Sequence, residues 1–363
     1  MEKKIGILTF HNCVNYGAAM QAYGLQSFLI SKGYNVEIID YVNEKIDSEL
    51  NEKIEVSLSV KSVARYIAKS LHRSRKRKQF SAFNNSFLNL SKQKNITINQ
   101  IDDYSSVYDV LITGSDQVWN LNLTGNDKTY YLNFASPKTL KISYAASIGD
   151  ISKVDIGPVL KEIKDMDYIS VREKSFWDYI SKEHGIDAML CCDPTILCDE
   201  KCFYDISDYR LSKEKYIFIF LMEDKPGIVA FAEELAKRMG YKVVSNKTSF
   251  EFFAHSKPID FLSWIRHAEV VLTDSFHGTV FSVIFRKQFI SDKYDGKKHV
   301  KSRVKDLLSE FGVEECFKDI SIENTSQLIE ILNTPVDYER VERNMKLFSE
   351  KSEQWLLRAL ERK

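Results

Sequence analysis

Val270-Val271-Leu272-Thr273-Asp274-Ser275-Phe276-His277-Gly278-Thr279 is the stretch whose reading decides the fold. Its short apolar start reads as a buried parallel strand. A second apolar run, Val280-Phe281-Ser282-Val283-Ile284-Phe285, follows and reads as a helix. An Asp, a Ser, a His and a Gly therefore stand where a strand hands over to a helix. In open α/β sheets ligands bind at that handover. Histidine is the side chain best suited to moving protons near neutral pH.

The same grammar recurs on both sides of this stretch. Ile5 to Phe10 reads as a buried strand, followed by the polar loop His11-Asn12-Cys13-Val14-Asn15-Tyr16-Gly17. Ala18, Ala22, Leu25 and Leu29 share a helix face that Gly33 stops, and Val36 to Asp40 is the next strand. Tyr108 to Thr113 is a strand that turns through Gly114-Ser115-Asp116, with further strands at 142–145 and 168–171. Tyr216 to Leu221 opens a second unit. Ile228, Phe231, Leu235 and Met239 form a helix face closed by Gly240, and Lys242-Val243-Val244 is the strand after it.

Strands alternating with helices predict an α/β fold, with two Rossmann-like domains in tandem and a cleft between them. The first domain spans 1–197 and carries a polar helical insertion at about 43–100. Cys198 to Lys213 reads as a connection, 214–335 as the second domain, and 336–363 as a long charged helix that packs on the first domain or mediates dimerisation.

Composition narrows the function classes. With 51 Lys plus Arg against 51 Asp plus Glu the net charge is zero, which argues against a nucleic-acid-binding field. The six cysteines form no CxxC pair, and no metal site is expected. Reduced thiols fit a cytoplasmic protein. No run approaches the ~20 apolar residues that span a bilayer, so any membrane contact is peripheral. His72-Arg73-Ser74-Arg75-Lys76-Arg77-Lys78 reads either as a solvated helix face or as a contact for anionic headgroups or a pyrophosphate-linked acceptor.

Four segments in order carry a family likeness. They are Asn15-Tyr16-Gly17-Ala18 with Gln21-Ala22-Tyr23, Thr113-Gly114-Ser115-Asp116-Gln117-Val118-Trp119, Ser170-Val171-Arg172-Glu173, and Thr273-Asp274-Ser275-Phe276-His277-Gly278. Together they resemble the polysaccharide pyruvyl transferase family. The resemblance implies a GT-B-like architecture and a bacterial cytoplasmic enzyme, working also at the inner face of the membrane. It implies transfer of the enolpyruvyl-derived group of phosphoenolpyruvate to a sugar, giving a pyruvate ketal. The acceptor it implies is a lipid-linked or nucleotide-linked precursor of capsule or exopolysaccharide. No cofactor is required. The family's key arginine and histidine map onto Arg172 and His277. Many members carry Arg-Leu directly before that histidine, where this chain has Ser275-Phe276.

The chemistry assigns roles. Ketal formation needs a proton delivered to the donor's methylene carbon, a cation for its anions, and a base for the attacking hydroxyls. His277 is the candidate acid/base group, with Asp274 to orient it and Asp116 as a base. Arg172, with Ser275, Gly278 and Thr279 at the helix start, is placed on the donor. Asn12, Asn15, Ser115 and Trp119 are placed on the acceptor. Capping explains Asn15, Asp274 and Ser275 equally well, turn chemistry explains Gly114 to Asp116, and burial explains Trp119. Two competing functions share these residues. One is a nucleotide-sugar glycosyltransferase, for which Arg266 and Lys225 are the available diphosphate contacts. The other is a non-catalytic glycan-binding relative.

Overall fold

The structure is a computed structural model that describes residues 3–50, 60–294 and 302–361. The chain divides into two compact units, Met1–Pro194 with Gln354–Lys363, and Thr195–Glu353.

The first unit runs β1 (Lys4–Leu8), α1 (Tyr16–Ser31), β2 (Asn35–Ile38), α2 (Glu44–Leu50), α3 (Val60–Phe87), β3 (Val110–Thr113), α4 (Leu121–Thr124), β4 (Leu140–Ala146), α5 (Leu160–Lys164), β5 (Tyr168–Val171), α6 (Lys174–His184) and β6 (Met189–Leu190). Its six strands are all parallel in the order β2-β1-β3-β4-β5-β6. The chain leaves β1 in one direction to reach β2 and in the other to reach β3, so the switch point lies between β1 and β3. Asn15 caps α1 by accepting from Ala18 N at 3.2 Å, and Gly33 with φ +85° follows its end. α2 and α3 form the expected insertion, whose residues 51–59 lie outside the described residues. The insertion returns to the sheet through bridges Ile38–Leu90 and Tyr41–Ile96.

The second unit continues with α7 (Pro194–Leu197), α8 (Lys201–Ile206), β7 (Tyr216–Phe220), α9 (Pro226–Met239), β8 (Lys242–Ser245), α10 (Phe250–Ala254), α11 (Pro258–Arg266), β9 (Val270–Thr273), α12 (Phe276–Ile284), β10 (Gln288–Asp292), α13 (Ser302–Phe311), β11 (Phe317–Lys318), α14 (Thr325–Asn333) and α15 (Tyr338–Glu361). Its parallel sheet has the order β11-β10-β9-β7-β8, with the switch point between β7 and β9. Ile228, Phe231 and Leu235 of α9 pack with Ile217, Ile219 and Leu272 of the sheet. Each such buried side chain contributes about 1.5–3 kcal/mol. α12 is buried along most of its length, which explains why its sequence is apolar all round.

Two boundaries differ from the sequence reading. Residues 198–213 are an integral part of the second unit, not a connection. Phe203 is fully buried there, Tyr204 Oη donates to Ile284 O at 3.1 Å, and Tyr209 Oη donates to Asp260 Oδ1 at 2.6 Å. The last helix belongs to both units, and its residues from Gln354 onward are counted with the first. There Leu356, Ala359 and Leu360 are buried, and Lys3 Nζ donates to Leu360 O at 2.6 Å.

Candidate active site

In the first unit the loops after β1, β3, β4, β5 and β6 converge at the carboxyl edge of the sheet. Gly114 has φ +110°, and an added Cβ would overlap the carbonyl oxygen of Tyr144, so only glycine fits. Ser115 Oγ donates to Ala145 O at 2.8 Å, and Thr9 Oγ1 donates to Ser115 O at 3.1 Å. This packing turns Asp116 into a left-handed conformation, φ +67°, with its Oδ1 accepting from Gln117 N at 2.8 Å.

Arg172 lies beside Asp116 and is buried. Its Nη1 donates to Asp193 Oδ2 at 2.5 Å, its Nη2 is 3.6 Å from Asp116 Oδ1, and its Nε is 3.7 Å from Glu173 Oε1. Glu173 in turn accepts a short hydrogen bond from Ser147 Oγ. Burial opposes charge on Arg172, yet Asp193, Glu173 and Asp116 together raise its pKa above the usual value. One cation thus faces three carboxylates. The expectation of an open donor-binding cation is corrected accordingly, because Arg172 directs its charge onto acids of its own unit and positions Asp116.

Two acceptor-binding expectations fail on burial. Ser115 is 0% exposed, with its hydroxyl given to Ala145. Trp119 is also 0% exposed, stacks on Tyr131 at 5.4 Å between ring centroids, and donates through Nε1 to Tyr130 O at 3.1 Å. No face of Trp119 is open to a sugar. Asn15 is the helix cap described above, so its side-chain oxygen is already used. Asn12 remains exposed and lines a cavity of about 320 Å³. Beside it, burial and then the charge of Asp116 push the Cys13 thiol up to about 12.

In the second unit the loop after β9 stands at the switch point. Thr273 Oγ1 donates to Phe220 O at 2.7 Å and accepts from Ser275 N at 3.1 Å. Ser275 caps α12 by accepting from Gly278 N at 3.3 Å. Thr279 Oγ1 is shared between Ser275 O at 2.9 Å and Ser291 Oγ at 2.5 Å. Gly278 and Thr279 therefore build the turn, and their expected donor contacts are corrected to that role. Ser275 holds the cap that the sequence also allowed, and its Oγ faces Gly278 rather than a donor. His277 sits in the first helical turn, 8% exposed, with its ring edge-on to Phe276 at 5.2 Å.

Asp274 stands directly after β9, three residues before that histidine. Its Oδ1 accepts from Met222 N at 2.6 Å and its Oδ2 from Glu223 N at 3.3 Å, which ties down the loop after β7. Lys225 is the neighbour that sequence reasoning considered only as a diphosphate contact. Its ammonium is 2.5 Å from Asp292 Oδ2, 3.7 Å from Asp274 Oδ2 and 3.9 Å from Glu223 Oε2. Burial would lower its pKa, but these carboxylates outweigh burial and raise it. A lysine 49 residues before Asp274 could have been linked to it only by recognising that β7 and β9 are neighbours.

A family model described as polysaccharide pyruvyl transferase matches residues 15–296. No curated protein is similar enough in sequence to match. Among solved structures, a putative UDP-N-acetylglucosamine 2-epimerase from Listeria monocytogenes is similar with a TM-score of 0.55 at 12% identity, covering 95% of this chain and 91% of that one. Another UDP-N-acetylglucosamine 2-epimerase gives 0.53 at 12% identity, over 98% and 94%. The Methanocaldococcus jannaschii UDP-GlcNAc 2-epimerase, in complex with UDP-GlcNAc and UDP, gives 0.50 at 13%, over 96% and 100%. At such identities the likeness is one of fold, namely two Rossmann-like domains in tandem of the GT-B-like kind.

Proposed function

The chain belongs to the polysaccharide pyruvyl transferase family, and from that premise we propose that it transfers the enolpyruvyl-derived group of phosphoenolpyruvate to a sugar, forming a pyruvate ketal. The observation that carries this reading is His277, a nearly buried imidazole in the first turn of α12 at the second unit's switch point. His277 delivers a proton to the methylene carbon of the donor. A sugar hydroxyl then bonds to the adjacent carbon as a base takes its proton. The C–O bond to phosphate breaks, phosphate leaves with its electron pair, and a second hydroxyl closes the ketal, its proton returning to the imidazole of His277.

The donor's negative charge is met where the helix dipole of α12 is positive. Asp274 anchors Lys225 and the loop carrying it. The acceptor is a lipid-linked or nucleotide-linked sugar of a surface-polysaccharide precursor, and the reaction belongs to the cytoplasm. No helix among the described residues is long and apolar enough to cross a membrane. The basic run on α3 supplies local positive charge for a headgroup or diphosphate.

A nucleotide-sugar glycosyltransferase would need a pair of cations on the diphosphate. Lys225 follows β7, whereas Arg266 ends α11 ahead of β9, at the opposite edge of the sheet. Arg266 also donates to Tyr204 O at 2.6 Å and Asp208 Oδ1 at 2.9 Å, so the pair does not form. The test is mass spectrometry of candidate acceptors incubated with phosphoenolpyruvate, alongside phosphate release. The wild type should add the ketal mass, and His277→Ala should slow release about 100- to 10,000-fold with an unchanged unfolding midpoint. Near-normal turnover in that variant would remove His277 from the mechanism.

A further inference from the structure

The insertion of the first unit segregates the charge of the chain. The whole protein is neutral, yet residues 43–100 hold 12 Lys plus Arg against five Asp plus Glu. The insertion therefore carries +7 and the remainder −7. α3 alone holds eight of those cations and no acid.

One side of α3 is packed on α1. Tyr16 meets Phe80 at 5.1 Å between ring centroids, and Tyr23 meets Phe83 at 6.3 Å and Phe87 at 6.0 Å. Phe80, Phe83 and Asn84 are buried along that stripe. On the other side Leu71, Ser74, Arg75, Lys78 and Ala82 recur every three or four residues, so they share one helix face, and all of them are exposed. Leu71 is 66% exposed, an apolar side chain standing among cations.

We propose that this face is a docking surface for a membrane, on which Arg75, Lys78 and the cations around them meet anionic lipid headgroups while Leu71 enters the boundary between headgroups and acyl chains. Residues 73–78 span about 7.5 Å of helix, within the ~8 Å Debye length at physiological salt, so their five cations act on a charged surface together. The excess does not depend on any one arginine standing alone. Were every acid of the insertion paired with one of its bases, seven cations would be left over. His72 reports the crowding, since burial and then the charges of Lys76 and Arg75 hold its pKa below the usual value. Lys92 and Lys94, on the segment that returns to the sheet, are exposed as well. A membrane fits this face better than a nucleic acid does, because an exposed leucine gains from the acyl boundary and nothing from a phosphate backbone. The surface stands on charge and exposure, and the transferase reading enters only where turnover is measured.

The test pellets the full chain with sucrose-loaded vesicles of phosphatidylcholine, alone or with about 30% phosphatidylglycerol, at about 0.1 M and about 0.5 M salt. The wild type should bind the anionic vesicles at least about tenfold better than the neutral ones, and lose at least about tenfold at the higher salt. Lys78→Glu removes one cation and adds one anion, so it should weaken binding about 25-fold. Leu71→Ser should weaken it about threefold or more without changing the salt dependence. Both positions are exposed, so the unfolding midpoint should stay that of the wild type. Lys237→Glu, at an exposed position of α9 in the second unit, is the control and should change binding less than about twofold. No binding to either vesicle, equal binding to both, or wild-type binding by Lys78→Glu or Leu71→Ser overturns the proposal. So does retention of a single-stranded RNA in preference to the vesicles. Vesicle binding as expected without ketal formation would leave the surface and remove the transferase reading. Ketal formation with no vesicle binding would do the reverse.

Discussion

Replacing Gly278 by alanine puts one methyl group at the tightest point of the His277 turn. The new Cβ would overlap Thr273 Oγ1 and lie 3.2 Å from Thr273 Cβ and 3.3 Å from Ser275 Cβ. None of these atoms is free to give way. Thr273 Oγ1 bridges Phe220 O and Ser275 N, and Ser275 Oγ caps the helix. Overpacking costs about 1–3 kcal/mol, and losing one or both hydrogen bonds of Thr273 adds about 1 kcal/mol each. A loss of roughly 2–5 kcal/mol, or about 4–20 °C for a unit of this size, is expected. Trp264 is the one tryptophan of the second unit, so fluorine NMR of 5-fluorotryptophan-labelled protein follows that unit's unfolding alone. Gly227→Ala is the matched control, because its Cβ would meet nothing nearer than Ile320 O at 3.8 Å. If Gly278→Ala loses no more stability than Gly227→Ala, the account of a close-packed strand-to-helix turn is wrong.

Three further outcomes follow from the geometry. Lys225→Met leaves the buried carboxylates of Asp274 and Asp292 without their ammonium and should cost about 2–4 kcal/mol in urea unfolding of the second unit. A cost below about 1 kcal/mol would show the cluster to be loosely held. Trp119→Phe should destabilise the first unit by about 1–3 kcal/mol through lost stacking and the lost Tyr130 bond, while acceptor KM stays within about twofold. A KM rise of about tenfold would restore Trp119 to the acceptor site. Burial alone would raise the Asp40 carboxyl, but the hydrogen bond from His11 Nε2 at 2.9 Å, its charge and the Asn95 amide together hold it below the usual value. A depressed folded-state pKa adds stability above the unfolded value of about 3.9, lost as pH falls through the folded one. Asp40→Asn should therefore cost about 1–2 kcal/mol at pH 7, and its unfolding curve should converge with wild type as the pH falls through the folded-state pKa of Asp40.

Much of the architecture is legible in the chain because parallel strands buried on both faces must be continuously apolar. Val270 to Thr273 and Tyr216 to Phe220 have that form, and glycines at 33 and 240 mark where helices stop. What the chain conceals is which polar residues use up one another. Nothing near Arg172 announces Asp193, 21 residues on, and a cation that reads as a ligand contact proves to be a hub for acids. Trp119 could face solvent or core on the same local pattern, and only its stacking on Tyr131 decides. Lys225 and the cavity beside Asn12 depend on contacts over tens of residues, set by strand order and by the return of the insertion, which no local periodicity records.

The passage of α15 from one unit to the other has a consequence for biogenesis. The second unit is, in covalent terms, an insert within the first, which is completed only by residues from Gln354 onward. Leu356, Ala359 and Leu360 lie in its interior, and Lys3 holds Leu360. Domains commonly finish folding in the order in which the ribosome releases them. Here the first unit must wait for the segment from Gln354 onward, while most of the inserted one has already emerged. A nascent chain stalled before residue 354 would hold the first unit's sheet without its closing helix turn.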